Sequence, residues 1–183
     1  MTMSRGAVRA MADPDRPITA VADAGPPIHL DELGVLELLA DFREVWVPDA
    51  VWRELQRHRP NVLKNVAIHR VRHRALPNSN VDALARLYTL HAGEREALSL
   101  CMDKPDLLLL TDDSAARLAA QALAVPAHGT LGILIRAIRR NQLPYSAVLD
   151  LLSEIPNRSS LHIRPDLLAE IIGQIAATPK AKL

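Results

Sequence analysis

The sequence predicts an α/β fold with a central parallel sheet flanked by helices. Two observations carry that prediction. Short β-prone apolar runs alternate along the chain with segments whose apolar residues recur at helical spacing, the pattern of βαβ units. One run, residues 107–111, is unbroken apolar sequence of strand length, as expected of a strand covered on both faces. The 183 residues, 49% hydrophobic, suffice for an ordinary core without staples. No repeat, low-complexity stretch or linker interrupts them, so one domain is the default. Right-handed crossovers would set helices on both faces of the sheet.

Residues 1–17 carry arginines but no apolar stretch of a secretory signal, and read as a flexible extension. The domain is expected over 18–178, with a loose tail over 179–183. Residues 18–23 form a β-prone run ending on Asp23, which Ala24-Gly25-Pro26-Pro27 breaks. A helical pattern over 28–40 carries Ile28, Leu33, Leu36 and Leu39. Residues 44–47 read as a second strand closed by Pro48. Asp49 then caps a helix to about Arg57, with Val51, Trp52 and Leu55 inward. Residues 60–74 are ambiguous, because Val66, Ile68 and Val71 alternate imperfectly. Asn80 caps the next helix, with Val81, Leu84, Leu87 and either Tyr88 or Leu90 as its core face. A break at Ala92-Gly93 precedes a helix from Glu94 to about Met102. After the 107–111 strand, Asp112-Asp113-Ser114 caps a regular helix bearing Ala115, Leu118, Ala119 and Ala122. Val125 marks a short strand-like step, and His128-Gly129-Thr130 opens a helix over 131–140. Helices over 145–154 and 165–177 complete the chain.

Composition excludes several functions. The 22 Lys+Arg balance 21 Asp+Glu to a net charge of +1, so no global field draws nucleic acid or anionic lipid. Aromatic residues are only 3%, too few for a base-stacking platform. The single cysteine, Cys101, excludes an internal disulfide framework and a Cys-based zinc site, and suits the cytoplasm. It reads as a buried small hydrophobe. No apolar stretch approaches the ~20 residues of a membrane helix. Glycine-rich phosphate loops are absent.

The acids are placed more tellingly. Asp23 ends the first strand, Glu54 lies on the helix after the second, Glu94 and Glu96 open the helix after Gly93, and Asp112 and Asp113 follow the 107–111 strand. In a doubly wound sheet these positions converge at the carboxyl ends of the strands. Two unit charges ~4 Å apart repel by about 4 kcal/mol at an effective dielectric of 20, so protons or a cation must neutralise such a cluster. All-oxygen donors select a hard cation, Mg²⁺ or Mn²⁺, whose chemistry is hydrolysis of a phosphodiester. Each acid also has a plainer reading: Asp23 as a turn residue, Asp112 or Asp113 as a helix cap, Glu94 and Glu96 as first-turn residues favoured by the dipole, Glu54 as a solvated helix residue.

These segments resemble the motifs of PIN-domain nucleases. Val21-Ala22-Asp23-Ala24-Gly25-Pro26-Pro27 resembles their opening strand and small-residue turn. Val47-Pro48-Asp49-Ala50-Val51-Trp52-Arg53-Glu54 is similar to their second motif, Gly93-Glu94-Arg95-Glu96-Ala97-Leu98 to the third and Thr111-Asp112-Asp113-Ser114-Ala115-Ala116-Arg117 to the fourth. With the trailing His128-Gly129-Thr130-Leu131-Gly132, the likeness is greatest to a PIN-like branch with Gly-Glu-x-Glu-Ala and Asp-Asp/Glu-x-x-Ala-Arg motifs, and it spans 18–140. The resemblance implies a three-layer fold and a Mg²⁺- or Mn²⁺-dependent endoribonuclease. It further implies a VapC-type toxin that forms a homodimer and is inhibited by a small antitoxin threading a segment into the acidic crevice.

Carried over residue by residue, the resemblance implies Asp23, Glu94 or Glu96, and Asp112 or Asp113 as metal ligands. Glu54 is implied as a direct or outer ligand. Glu96 is preferred because Ala97-Leu98 follows it, as residues of that kind follow the family acid; Glu94 lies on the buried helix face. Both are carried, since related flap endonucleases use a similar pair of glutamates. The sequence departs from the family at Ala24, where many relatives have Thr or Ser after the first acid.

Between Arg53 and Arg74 seven Arg or Lys and three His surround a single acid, Glu54. Arg53, Arg57, Arg70 and Arg72 are therefore candidates to hold an RNA backbone. The same run also reads as a solvated loop or an edge strand protected by charge. His29 follows the first-motif turn, where it could border the pocket, but a structural or solvated role is preferred for it, as for His91 and His162. Arg136, Arg139 and Arg140 suit the end of a helix. The alternative function is a PIN-like module that has lost efficient catalysis and works by binding protein or RNA. A phosphatase of the haloacid dehalogenase type needs Asp-x-Asp, which Gly25 denies.

Overall fold

A computed structural model describes residues 18–73 and 78–177. The extension expected at 1–17, the tail at 179–183 and Arg74 lie outside the described residues. Five strands, β1 (Thr19–Ala22), β2 (Glu44–Pro48), β3 (Ile68–Val71), β4 (Leu108–Leu110) and β5 (Ala127–His128), form one sheet in the order β3-β2-β1-β4-β5. Every pair is parallel.

Strand alternation sorts the helices into two layers. Ala20 and Ala22 of β1, with Val45, Val47, Leu108 and Leu110, face a core built from α1 (Gly25–Leu33), α2 (Asp49–His58), α6 (Thr130–Arg139), α7 (Tyr145–Arg158) and α8 (Pro165–Ala177). Val21 and Leu109 point the other way, into a core shared with α3 (Ser79–Leu87), α4 (Ala92–Asp103) and α5 (Ser114–Ala122). The result is the three-layer α/β architecture that the sequence predicts. β1 sits between β2 and β4, so the chain reverses its direction of growth there, and the crevice opens at the carboxyl ends of β1 and β4.

Several boundaries differ from the sequence reading, each for a local reason. The segment read as breaking the first strand is itself the start of α1: Pro26 and Pro27 occupy the first turn, where no N–H is needed. The helix expected to reach residue 40 stops at Gly34, whose φ of 76° closes α1 with backbone bonds to Leu30 and Asp31. A separate 3-10 turn, Leu36–Asp41, covers the rest. Gly34→Ala forces a Cβ into that left-handed conformation and should lower unfolding free energy by about 1 kcal/mol in urea melts. The ambiguous 60–74 segment contains β3, whose edge position leaves His69 and Arg70 exposed and blurs the alternation. Asn78, not Asn80, caps α3, accepting from the N–H groups of Asn80 and Val81. α4 begins before Gly93, because His91 and Glu94 form a capping box. The strand-like step expected at Val125 falls at β5, two residues on.

Candidate active site

Asp23 anchors the crevice. Its N–H extends the sheet ladder to the Leu110 carbonyl at 2.9 Å, which fixes its side chain at the carboxyl end of β1. The carboxylate is 9% exposed, accepting from the Ala24 N–H at 2.8 Å and from the Thr111 hydroxyl at 3.2 Å. Burial raises its pKa to about 6, and the negative charges of Glu94 and Glu54 add to the effect. The two hydrogen bonds favour the ionised form but do not outweigh burial.

A cavity of about 670 Å³ lies over this carboxylate, with Glu54 contributed by α2 and Glu94 by α4. Arg53, Arg57 and His58 form its rim. Gly93 makes the convergence possible. A Cβ there would lie 3.0 Å from Val51 Cγ2, 3.6 Å from an Asp23 oxygen and 3.9 Å from a Glu54 oxygen. The missing side chain therefore lets α4 approach α2 and leaves space between carboxylates from β1 and α2.

The other sequence candidates separate. Glu94 and Glu96 are two apart on one helix, so they cannot face the same way. Glu94 faces the cavity and accepts from the His91 N–H at 2.5 Å. Glu96 accepts from the Ala50 N–H at 2.8 Å, capping the first turn of α2. Asp113 caps α5 through the Ala116 N–H at 2.7 Å and is exposed. Asp112 turns toward α6, where its carboxylate accepts from the Thr130 N–H at 2.7 Å and the Thr130 hydroxyl at 2.6 Å. Its Oδ2 also meets His29 Nδ1 at 2.8 Å. The structure thus gathers Asp23, Glu54 and Glu94 around one cavity, sets Asp112 beside them, and commits Glu96 and Asp113 to helix starts.

Thr111 and Thr130 are partners that sequence reasoning did not assign to the site, while His29, for which a structural role is preferred to one at the pocket's border, meets Asp112. Thr111 and Thr130 each sit beside a residue already singled out, but nothing in their spacing reveals which acid they serve. Among the cations, Arg53 and Arg57 reach the cavity rim. Arg70 instead donates to Asp49 at 2.7 Å and lies over the Trp52 ring, while Arg72 is exposed beyond the end of β3. Arg136 and Arg140 pair with Asp41. His128 is pushed below its ordinary pKa by burial and by Arg117, Arg136 and Arg139. Cys101 is buried, which raises its thiol pKa to about 12.

Among the described residues, no three or more His, Cys, Asp or Glu side chains form a group that could by itself hold a metal ion. The donor set still suits a hard divalent ion. Mg²⁺ retains several waters and takes one or two carboxylates together with substrate phosphates, so it calls for an open acidic cavity. The buried Asp23 facing two like charges is the kind of group a cation relieves. Among the described residues no helix is long and apolar enough to cross a membrane.

A search of curated proteins finds no match to the chain. A family model described as PIN domain matches residues 19–177, from β1 to the end of α8. The chain belongs to the PIN-domain family of nuclease-type modules.

Proposed function

We propose that this protein is a Mg²⁺- or Mn²⁺-dependent endoribonuclease. The observation that carries the reading is the buried Asp23 facing Glu94 and Glu54 across a cavity rimmed by Arg53 and Arg57. Asp23, Glu54 and Glu94 would hold the cation, with Asp112 bordering them. When bound, the cation supplies water activation and charge neutralisation at the phosphodiester. Arg53 and Arg57 hold the flanking phosphates, and the exposed Glu54 faces the solvent that delivers the attacking water. Low aromatic content leaves recognition to backbone charge.

The motif resemblance extends the reading to a cytoplasmic toxin of a toxin–antitoxin pair, homodimeric and inhibited by a small protein entering the acidic crevice. The supporting residues are Gly93-Glu94-Arg95-Glu96-Ala97 and His128-Gly129-Thr130-Leu131-Gly132. A module that binds RNA or protein without efficient catalysis is favoured by one observation, Ala24 in place of a hydroxyl residue.

Incubation of a short RNA with protein and Mg²⁺ or Mn²⁺ tests the reading. Cleavage undiminished by a chelator, or none with either ion, overturns it. RNA binding without saturable Mn²⁺ binding by calorimetry favours the module. Glu94→Gln should lower the cleavage rate by about 10- to 100-fold and weaken Mn²⁺ binding. Glu96→Ala should leave Mn²⁺ affinity intact and cost about 1 kcal/mol in urea melts, the loss of a helix cap.

A further inference from the structure

We propose that the cavity between α5 and β5 is a second subsite for the same RNA strand. It takes one unpaired nucleotide adjacent to the cleaved bond, with a phosphate on Arg117 and the base against Leu118, Val125 and Ala127. The inference rests on the ribonuclease reading above. The cavity, about 550 Å³, lies within the range of small-ligand sites. Its walls combine one cation with apolar side chains, and Leu118 is a large hydrophobic residue left 50% exposed on α5. Ser114 and Gln121 add a hydroxyl and an amide able to meet a base edge. An anionic group joined to a flat apolar one matches this lining, and in a single strand the base is free to enter.

Position supports the assignment. Asp112 lines this cavity, and its Oδ2 lies 3.7 Å from where a Gly25 Cβ would stand, while Gly25 lines the acidic cavity. One carboxylate therefore separates the two spaces, and a strand crossing the carboxyl ends of β1 and β4 passes from one into the other. Thr130 and His29 engage both oxygens of that carboxylate, and Arg117 brings a positive charge near it: a Cβ on Gly129 would collide with Asp112 Oδ1 and lie 3.2 Å from Arg117 Nη1. Arg117 is exposed, and its guanidinium makes no ion pair among the described residues. Arg139, the last residue of α6, likewise has no ion pair among the described residues, whereas Arg136 and Arg140 are matched by Asp41. Arg117 thus keeps a positive charge without a direct ion pair near the β5 edge, on the side of the acidic cavity opposite Arg53 and Arg57.

The test uses the full-length Asp23→Asn protein, which should bind without cutting, and a short fluorescein-labelled single-stranded RNA followed by anisotropy over a salt series. Arg117→Ala should weaken binding about tenfold and lower the slope of log K on log salt by about one. Leu118→Glu, a change on an exposed helix face, should weaken it at least as much. A blunt duplex should show no dependence on either residue. If both variants bind the single strand unchanged while Arg53→Ala weakens it, the subsite is overturned and the ribonuclease reading stands. Equal Arg117 dependence for duplex overturns the unpaired nucleotide. Failure of the parent protein to bind RNA overturns the subsite and that reading together.

Discussion

Asp23→Asn should abolish cleavage and stabilise the fold. The rate is expected to fall by a factor on the order of 10³, because the most buried donor facing the cavity loses its charge while its shape is kept. Stability should move the other way. The folded state raises the pKa of Asp23 from 3.8 to about 6, so it binds that proton more tightly than the unfolded chain does. Its carboxyl is unstrained below pH 3.8, grows costly as the pH rises toward 6, and carries the full penalty above that. The asparagine variant should therefore unfold at higher urea concentration at pH 7–8, by about 3 kcal/mol, with the advantage gone near pH 4. Saturating Mn²⁺ should raise the melting temperature of the natural protein and leave the variant unmoved; at 100 times Kd the ion contributes about 2.7 kcal/mol. A variant that cleaves at the natural rate, or whose stability differs from that of the natural protein by the same amount at pH 4 and at pH 7–8, contradicts the assignment.

Asp112→Ala should be the most destabilising substitution at the site. Thr130 is fully buried, and its N–H and hydroxyl both donate to Asp112. Removing the carboxylate strands two buried donors at the start of α6 and releases His29. The expected loss is about 3 kcal/mol, read in urea unfolding, with a melting temperature lower by roughly 6–12 °C. Asp112→Asn keeps one acceptor oxygen and should lose about half as much. A loss of activity in Asp112→Ala with unchanged stability would place this residue in the chemistry alone.

The layers and the strand order's crevice were legible because period and alternation report burial, and burial organises the sheet. Asp23 was legible for the same reason, as the polar end of an apolar run. The division of labour within Glu94/Glu96 and Asp112/Asp113 was not. Adjacent acids near a helix start have the same composition whether they cap or face a cavity. The choice is made by partners distant in sequence: the Ala50 N–H for Glu96 and Thr130 for Asp112. The start of α1 was hidden differently. A proline pair ends a strand and begins a helix with equal ease, and only the turn geometry after Asp23 distinguishes the two.

The first turn of α4 carries a constraint on how the chain can change. Glu94 points into the cavity and Glu96 braces α2, and the two directions are tied together by a fixed rotation of about 100° per residue. Inserting one residue between Glu94 and Glu96, or deleting Arg95, would break their phase and swing one carboxylate off target, and no single compensating substitution restores it. Loop lengths elsewhere can drift, whereas this two-residue phase must be inherited whole.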